Sequence, residues 1–240
     1  MTLPKIDLPI YNLQLKTSDK NIKFRPFVVK EERILMMALE SNDFETIMQA
    51  IKQVINNCVL DEIEIDDLPL FELEHLFLNI RARSVGENVD LSYICQNQIE
   101  ENVRCNNEMI VSVDLLKVDL ETPKVETVLK VTDNIGIKLK YPTISVSKAI
   151  MEGGNDIDVV VKIIENCTEF LFDTEQAYKV EDMQPGEFNE FIENLTREQF
   201  ESLKSFFDNL PSIKYDTQVV CGKCGKEHKI HLEGLLDFFE

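Results

Sequence analysis

Tyr215-Asp-Thr-Gln-Val-Val-Cys221-Gly-Lys-Cys224-Gly-Lys-Glu-His228-Lys-Ile-His231 places two cysteines two residues apart, each followed by glycine, between two strand-like runs. Glycine lets the backbone turn back, so both sulfurs can face one centre. That is the knuckle a tetrahedral metal site requires, and one knuckle supplies two of four ligands. A second pair lies far upstream in Tyr93-Ile-Cys95-Gln-Asn-Gln-Ile-Glu-Glu-Asn-Val-Arg-Cys105-Asn-Asn. Polar turn-formers surround these cysteines, and a strand-like run from Met109 to Leu115 follows. One expected ligand set is Cys95, Cys105, Cys221 and Cys224, a zinc ribbon split across the chain. The other is local: Cys221, Cys224, His228 and His231. Zinc is the expected ion, and an iron–sulfur cluster is the alternative that four thiolates also suit.

The remaining cysteines read as core. Cys58 follows Ile47, Ile51, Val54 and Ile55 at helical spacing, and Cys167 follows Ile163 and Ile164. Free cysteine in an apolar stripe behaves as a small hydrophobe. Six cysteines in 240 residues suggest reduced thiols or metal ligands more than a disulfide framework. The opening Met1–Asp7 has no apolar h-region, so no secretory signal is expected. No window approaches the roughly 18 consecutive apolar residues of a membrane span.

The chain carries 25 basic and 44 acidic residues, a formal net charge of −19. Such a surface repels phosphate backbones and argues against nucleic-acid binding. Its bland reading is solubility, and its functional reading is docking against a basic partner. With so many carboxylates, chance acidic pairs are inevitable, so no catalytic dyad can be argued from them. Gly153-Gly154 lacks the lysine and hydroxyl residue of a phosphate loop, and no nucleophile elbow occurs. His75, beside Glu74 in a helix, reads as a surface or boundary residue. A four-cysteine site is closed to substrate, so no catalytic residue is assigned.

The pattern is α+β: mixed β hairpins with grouped helices and a zinc-ribbon-like site joining the middle and C-terminal segments. Residues 1–29 read as an N-terminal hairpin, 30–90 as helical, 91–145 as β-rich with the first cysteine pair, 146–211 as helical, and 212–240 as the knuckle segment. Together they are expected to form one composite domain. Within this frame Asn42 is expected to cap a helix reaching Asn57, with Glu45 three residues on. A helix is expected from Ile157 to Phe172, and Thr196 with Gln199 forms a capping box for the helix ending before Pro211. Val125 to Lys140 reads as a hairpin turning at Asp133-Asn134. Gly153-Gly154-Asn155 reads as a flexible break, and Phe238-Phe239 as core packing.

Several blocks, in this order, carry a family likeness: Phe24-Arg-Pro-Phe-Val-Val-Lys-Glu-Glu32, Leu39-Glu-Ser-Asn-Asp43, Ile55-Asn-Asn-Cys58, Phe77-Leu-Asn-Ile-Arg-Ala-Arg-Ser-Val-Gly-Glu87, Ile135-Gly-Ile-Lys-Leu-Lys-Tyr-Pro142, the C-terminal knuckle, and Gly234-Leu-Leu-Asp-Phe-Phe239. Together they resemble the baseplate proteins of T4-like contractile-tailed bacteriophages, a family with a baseplate hub subunit and a hub assembly factor. The resemblance implies a non-enzymatic structural or assembly protein of the phage tail. It would be assembled in the host cytoplasm and located in the virion baseplate. Its partners would be other hub and tail tube proteins, in an oligomer, and its cysteines would form a structural metal site.

Overall fold

The computed structural model describes residues 6–101, 103–120, 125–146 and 157–238. The chain partitions into two compact units. The first comprises residues 1–65, 71–121 and 212–240; the second comprises 66–70 and 122–211. The greater part of the second unit, residues 122–211, is therefore inserted in sequence between 71–121 and 212–240 of the first.

In the first unit, β1 (Tyr11–Gln14) and β2 (Asn21–Phe24) form an antiparallel hairpin with Tyr11 opposite Phe24. Alternation buries Ile22 and Phe24 on one face. Two helices follow, α1 (Val29–Ser41) and α2 (Phe44–Cys58). The turn between them corrects the expected cap. Asn42 ends α1 in the left-handed region at φ 50°, and Asp43 caps α2 by accepting the Thr46 amide at 2.8 Å. Asn and Asp both suit helix ends; only the backbone distinguishes a C-terminal left-handed residue from an N-cap. Cys58 is fully buried at the end of α2, in the expected apolar stripe with Ile51, Val54 and Ile55.

Helix α3 (Leu70–Ser84) buries Phe71, Leu73, Leu76, Phe77, Leu78 and Ile80. A helix that is apolar nearly all round belongs in the middle of a core. His75 is buried on it, so the surface assignment is corrected. Two carboxylates on α3 fasten distant segments. Glu72 accepts the Thr17 amide at 2.7 Å and the Thr17 hydroxyl at 2.8 Å. Half-buried Glu74 accepts the backbone N–H of Leu235, in the short 3-10 turn Leu235–Phe238. Phe238 is fully buried there, while Phe239 lies outside the described residues.

The β-rich part of this unit consists of small antiparallel ribbons. Strand β3 (Asn88–Ile94) pairs with β6 (Glu108–Asp114), and β4 (Gln98–Glu100) with β5 (Val103–Arg104). Strand β7 (Asp119–Leu120) pairs with the start of β12 (Ile213–Val220), which pairs along its length with β13 (Glu227–Glu233).

The second unit holds a four-stranded antiparallel sheet of β8 (Val128–Lys130), β9 (Gly136–Leu139), β10 (Thr168–Phe172) and β11 (Ala177–Lys179), in the order β11-β10-β9-β8. Helices α4 (Ile157–Asn166), α5 (Glu187–Glu193) and α6 (Arg197–Asp208) supply the rest. The core gathers Ile137, Leu139, Ile164, Leu171, Phe188 and Phe206. The β8–β9 hairpin and the Thr196/Gln199 capping box form as expected. The helix expected to reach Phe172 stops at Asn166. Thr168 donates its hydroxyl to the Ile164 carbonyl at 2.7 Å, and Thr168–Phe172 pairs with β9. A short apolar run fits either period, and sheet pairing decided it. Gly153-Gly154-Asn155 lies outside the described residues.

Two predictions follow from this packing. Gly136 sits opposite Phe172, whose ring occupies the space a Cβ would need. Gly136→Ala therefore lowers unfolding free energy by about 1–3 kcal/mol in urea titration, the range for overpacking. For Glu74, burial pushes the carboxyl from its ordinary 4.5 up to about 7, against the Leu235 N–H bond that lowers it. The folded chain then holds a proton the unfolded chain has released, so stability falls as pH rises from about 4.5 through 7. Glu74→Gln keeps an acceptor for Leu235 and flattens that part of the melting temperature profile.

Candidate metal centre

Two β ribbons of the first unit meet end to end here. Cys95 follows β3 and Cys105 precedes β6, so the register of that ribbon brings the two cysteines together. The nine residues between them form the β4–β5 hairpin and leave the loop compact. Cys105 N–H donates to the Asn97 carbonyl at 2.8 Å, Cys95 N–H to the Asn107 carbonyl at 2.9 Å, and Asn106 N–H to the Cys95 carbonyl at 3.0 Å. Asn106 takes the left-handed conformation this turn needs, φ 48°.

On the other ribbon, Cys221 follows β12 and Cys224 lies in the turn into β13. Cys221 N–H donates to the Lys226 carbonyl at 2.8 Å, and Gly225 N–H to the Cys221 carbonyl at 2.9 Å. Gly225 has φ 71°, a value glycine reaches without Cβ cost.

All four sulfurs lie within 4.8 Å of one another. Cys105 Sγ and Cys221 Sγ are 3.6 Å apart, and Cys95 Sγ and Cys224 Sγ are 3.7 Å apart. A regular tetrahedron with metal–sulfur bonds of about 2.3 Å has an edge of about 3.8 Å. The sulfurs are thus spaced for one tetrahedral ion and are not bonded to each other. Cys95, Cys105 and Cys221 are buried and Cys224 is half-buried, with Met109, Tyr93 and Val219 packed around them.

The surrounding hydrogen bonds divide the thiols. N–H groups of Cys224 and Lys223 pull Cys221 down to about 6, and chiefly the N–H of Lys226 lowers Cys224. Burial pushes Cys95 up to about 12 and also raises Cys105, with the N–H groups of Asn97 and Asn107 opposing it. The backbone N–H groups thus favour the thiolate form at Cys221 and Cys224, and burial disfavours it at Cys95 and Cys105. The sequence reading did not single out Asn97, Asn107 or Lys226 as sulfur partners. The asparagines two residues after each upstream cysteine were the available signal.

The histidines separate. His228 Nε2 lies 3.2 Å from Cys95 Sγ, beside the cluster. His231 is directed elsewhere: Nδ1 is 2.7 Å from Asp216 and Nε2 is 3.4 Å from Glu233, and these carboxylates raise its pKa. The local set with both histidines is not assembled in this structure. Cys58 and Cys167 are buried in other surroundings, with burial raising them to about 11 and 12.

A sequence profile described as "T4 bacteriophage base plate protein" matches residues 8–240. The chain belongs to that family. A curated relative, Baseplate hub assembly protein gp26 of Enterobacteria phage T4, is 26% identical over 231 residues, covering 96% of this chain and 98% of the relative. No solved structure matches the chain. For this base plate protein the match spans both units and both cysteine pairs. Among the described residues, no helix is long and apolar enough to cross a membrane.

Proposed function

We propose that this chain is a structural component of the baseplate hub that takes part in baseplate and tail assembly. The observation carrying this reading is a full-length likeness to a hub assembly protein, across both units. On this reading it acts beside other hub and tail tube proteins as part of an oligomer. It is assembled in the host cytoplasm, resides in the tail baseplate of the virion, and performs no catalysis. Its net charge of −19 suits protein partners with basic surfaces and disfavours nucleic acid. The printed name of the relative favours a second reading, an assembly chaperone absent from the mature virion.

Cys95, Cys105, Cys221 and Cys224 are the ligands of one structural zinc in this proposal. Sulfur spacings of 3.6 and 3.7 Å support a single ion. An iron–sulfur cluster places bridging sulfides between its irons and holds its thiolates farther apart. Four protein ligands leave no open position for water, which separates this site from a metal-dependent enzyme. His228 then donates to the Cys95 thiolate from outside the ligand shell, as outer-shell partners of metal sites do.

Two measurements test these readings. Mass spectrometry of purified virions and of tail assembly intermediates finds the chain in both if it is a hub component. Presence in intermediates with absence from virions would move the assignment to the chaperone. Elemental analysis with X-ray absorption of the purified chain shows one zinc bound by four sulfurs. A shell containing nitrogen, or no metal, sinks the four-cysteine site. Since structural zinc contributes on the order of 10 kcal/mol in isolated fingers, the Cys221→Ser/Cys224→Ser double variant lowers the melting temperature by at least about 10 °C.

A further inference from the structure

Helix α1 carries an exposed stripe on the face opposite its buried residues Glu31 and Ala38. Val29, Arg33, Met36, Met37 and Glu40 follow at the i, i+4, i+7, i+8, i+11 spacing that lines up along one side of a helix. Val29 is 70% exposed, Met36 57% and Met37 68%. Apolar side chains this exposed in a row are unusual on a chain of such high charge, and methionines adapt well to a partner surface. Beside the stripe runs a groove of about 960 Å³ between α1 and α2, with Ile34, Met37 and Ala38 on the α1 side and mainly polar residues, among them Glu45, Gln49 and Lys52, on the α2 side.

The charges on the stripe identify the occupant. Arg33 and Glu40 are exposed, and among the described residues neither makes an ion pair. Seven residues apart on one helix they are about 10 Å apart, too far to pair with each other. They flank Met36-Met37 symmetrically. When a second α1 lies antiparallel across the first with residue numbers summing to 73, Arg33 meets the partner's Glu40, Glu40 meets the partner's Arg33, and Met36 meets the partner's Met37. A two-fold axis between the methionines requires this self-complementarity. A parallel pairing would set Arg33 against Arg33.

We infer that the exposed face of α1 is an isologous interface that pairs two copies of this chain, with a methionine centre and two reciprocal Arg33–Glu40 ion pairs. The methionines of each copy border the α1–α2 groove of the other, making an antiparallel helical pairing of a common type. This deepens the oligomer part of the proposed function and rests on it, but it does not depend on the metal centre.

Sedimentation equilibrium of the full-length metal-loaded chain, over a range of concentrations, tests the pairing. The native chain dimerises. Arg33→Glu alone and Glu40→Arg alone each weaken dimerisation by about tenfold or more, because each places like charges in contact twice. The double variant Arg33→Glu/Glu40→Arg restores it to near the native value. Both side chains are exposed, and far-ultraviolet circular dichroism checks that each variant folds. A chain that stays monomeric, a dimer indifferent to the single changes, or a double variant that fails to recover overturns the interface. Covalent labelling that leaves Met36 and Met37 protected in a monomer would assign the stripe to another occupant and overturn it too. A monomer that is nevertheless found in virions overturns this pairing and leaves the hub reading standing. A charge-reversible dimer that appears in neither virions nor assembly intermediates does the reverse.

Discussion

Convergence of four sulfurs from two β ribbons is the constraint on which the first unit depends. Cys105 and Cys221 are 116 residues apart in sequence, and their sulfurs are 3.6 Å apart. The intervening chain leaves to build the second unit and then returns. At the point of departure β7 pairs with β12, setting Leu120 opposite Ile213. An insertion whose ends lie adjacent in its host can be large without disturbing it. Closing so long a loop costs entropy that grows slowly with length, so the contacts at the closure must outweigh it. The β7–β12 pairing lies at that closure, and a metal-sized sulfur cluster lies past the other end of β12.

Charge shapes the same region. Were the four sulfurs to hold a divalent ion as thiolates, the centre would carry net charge −2, in a chain already at −19. The knuckle segment runs against this balance, with Lys223, Lys226 and Lys229 around it. Lys223 Nζ donates to the Cys105 carbonyl at 3.0 Å, fastening one ribbon to the other. Backbone N–H groups from Asn97, Asn107, Cys224 and Lys226 point at the sulfurs and stabilise negative charge there without desolvating a side chain.

Elsewhere the chain uses buried and half-buried carboxylates as fasteners. Glu31 is fully buried, accepts the Val28 amide at 3.0 Å and pairs with Arg25 at 3.1 Å. Glu72 holds the β1–β2 turn, and Glu74 holds the C-terminal 3-10 turn. Glu72 and Glu74 each join α3 to a turn distant in sequence, and Glu31 fastens the start of its own helix. Such groups are tolerated inside only when their hydrogen bonds are made. In a chain with 44 acidic residues, sequence alone offered no way to tell these three from the solvated majority.

Local chemistry determined much of this protein directly. Glycine spacing marked the Cys221–Cys224 knuckle, alternation marked the β1–β2 hairpin, and the Thr196/Gln199 box marked the start of α6, because each depends on residues within one or two turns of one another. Tertiary structure decided the rest. It turned Thr168–Phe172 into a strand, because a neighbouring sheet edge accepted it. It buried His75, because the middle of α3 lies within the core. It placed His228 beside the sulfurs and turned His231 toward Asp216, because residues three apart on one strand point to opposite faces. Above all, it brought Cys95 and Cys105 to Cys221 and Cys224. Sequence could name all four as candidates, but a distance of 3.6 Å across 116 residues is set by sheet register and chain return, and neither is written in the residues nearby.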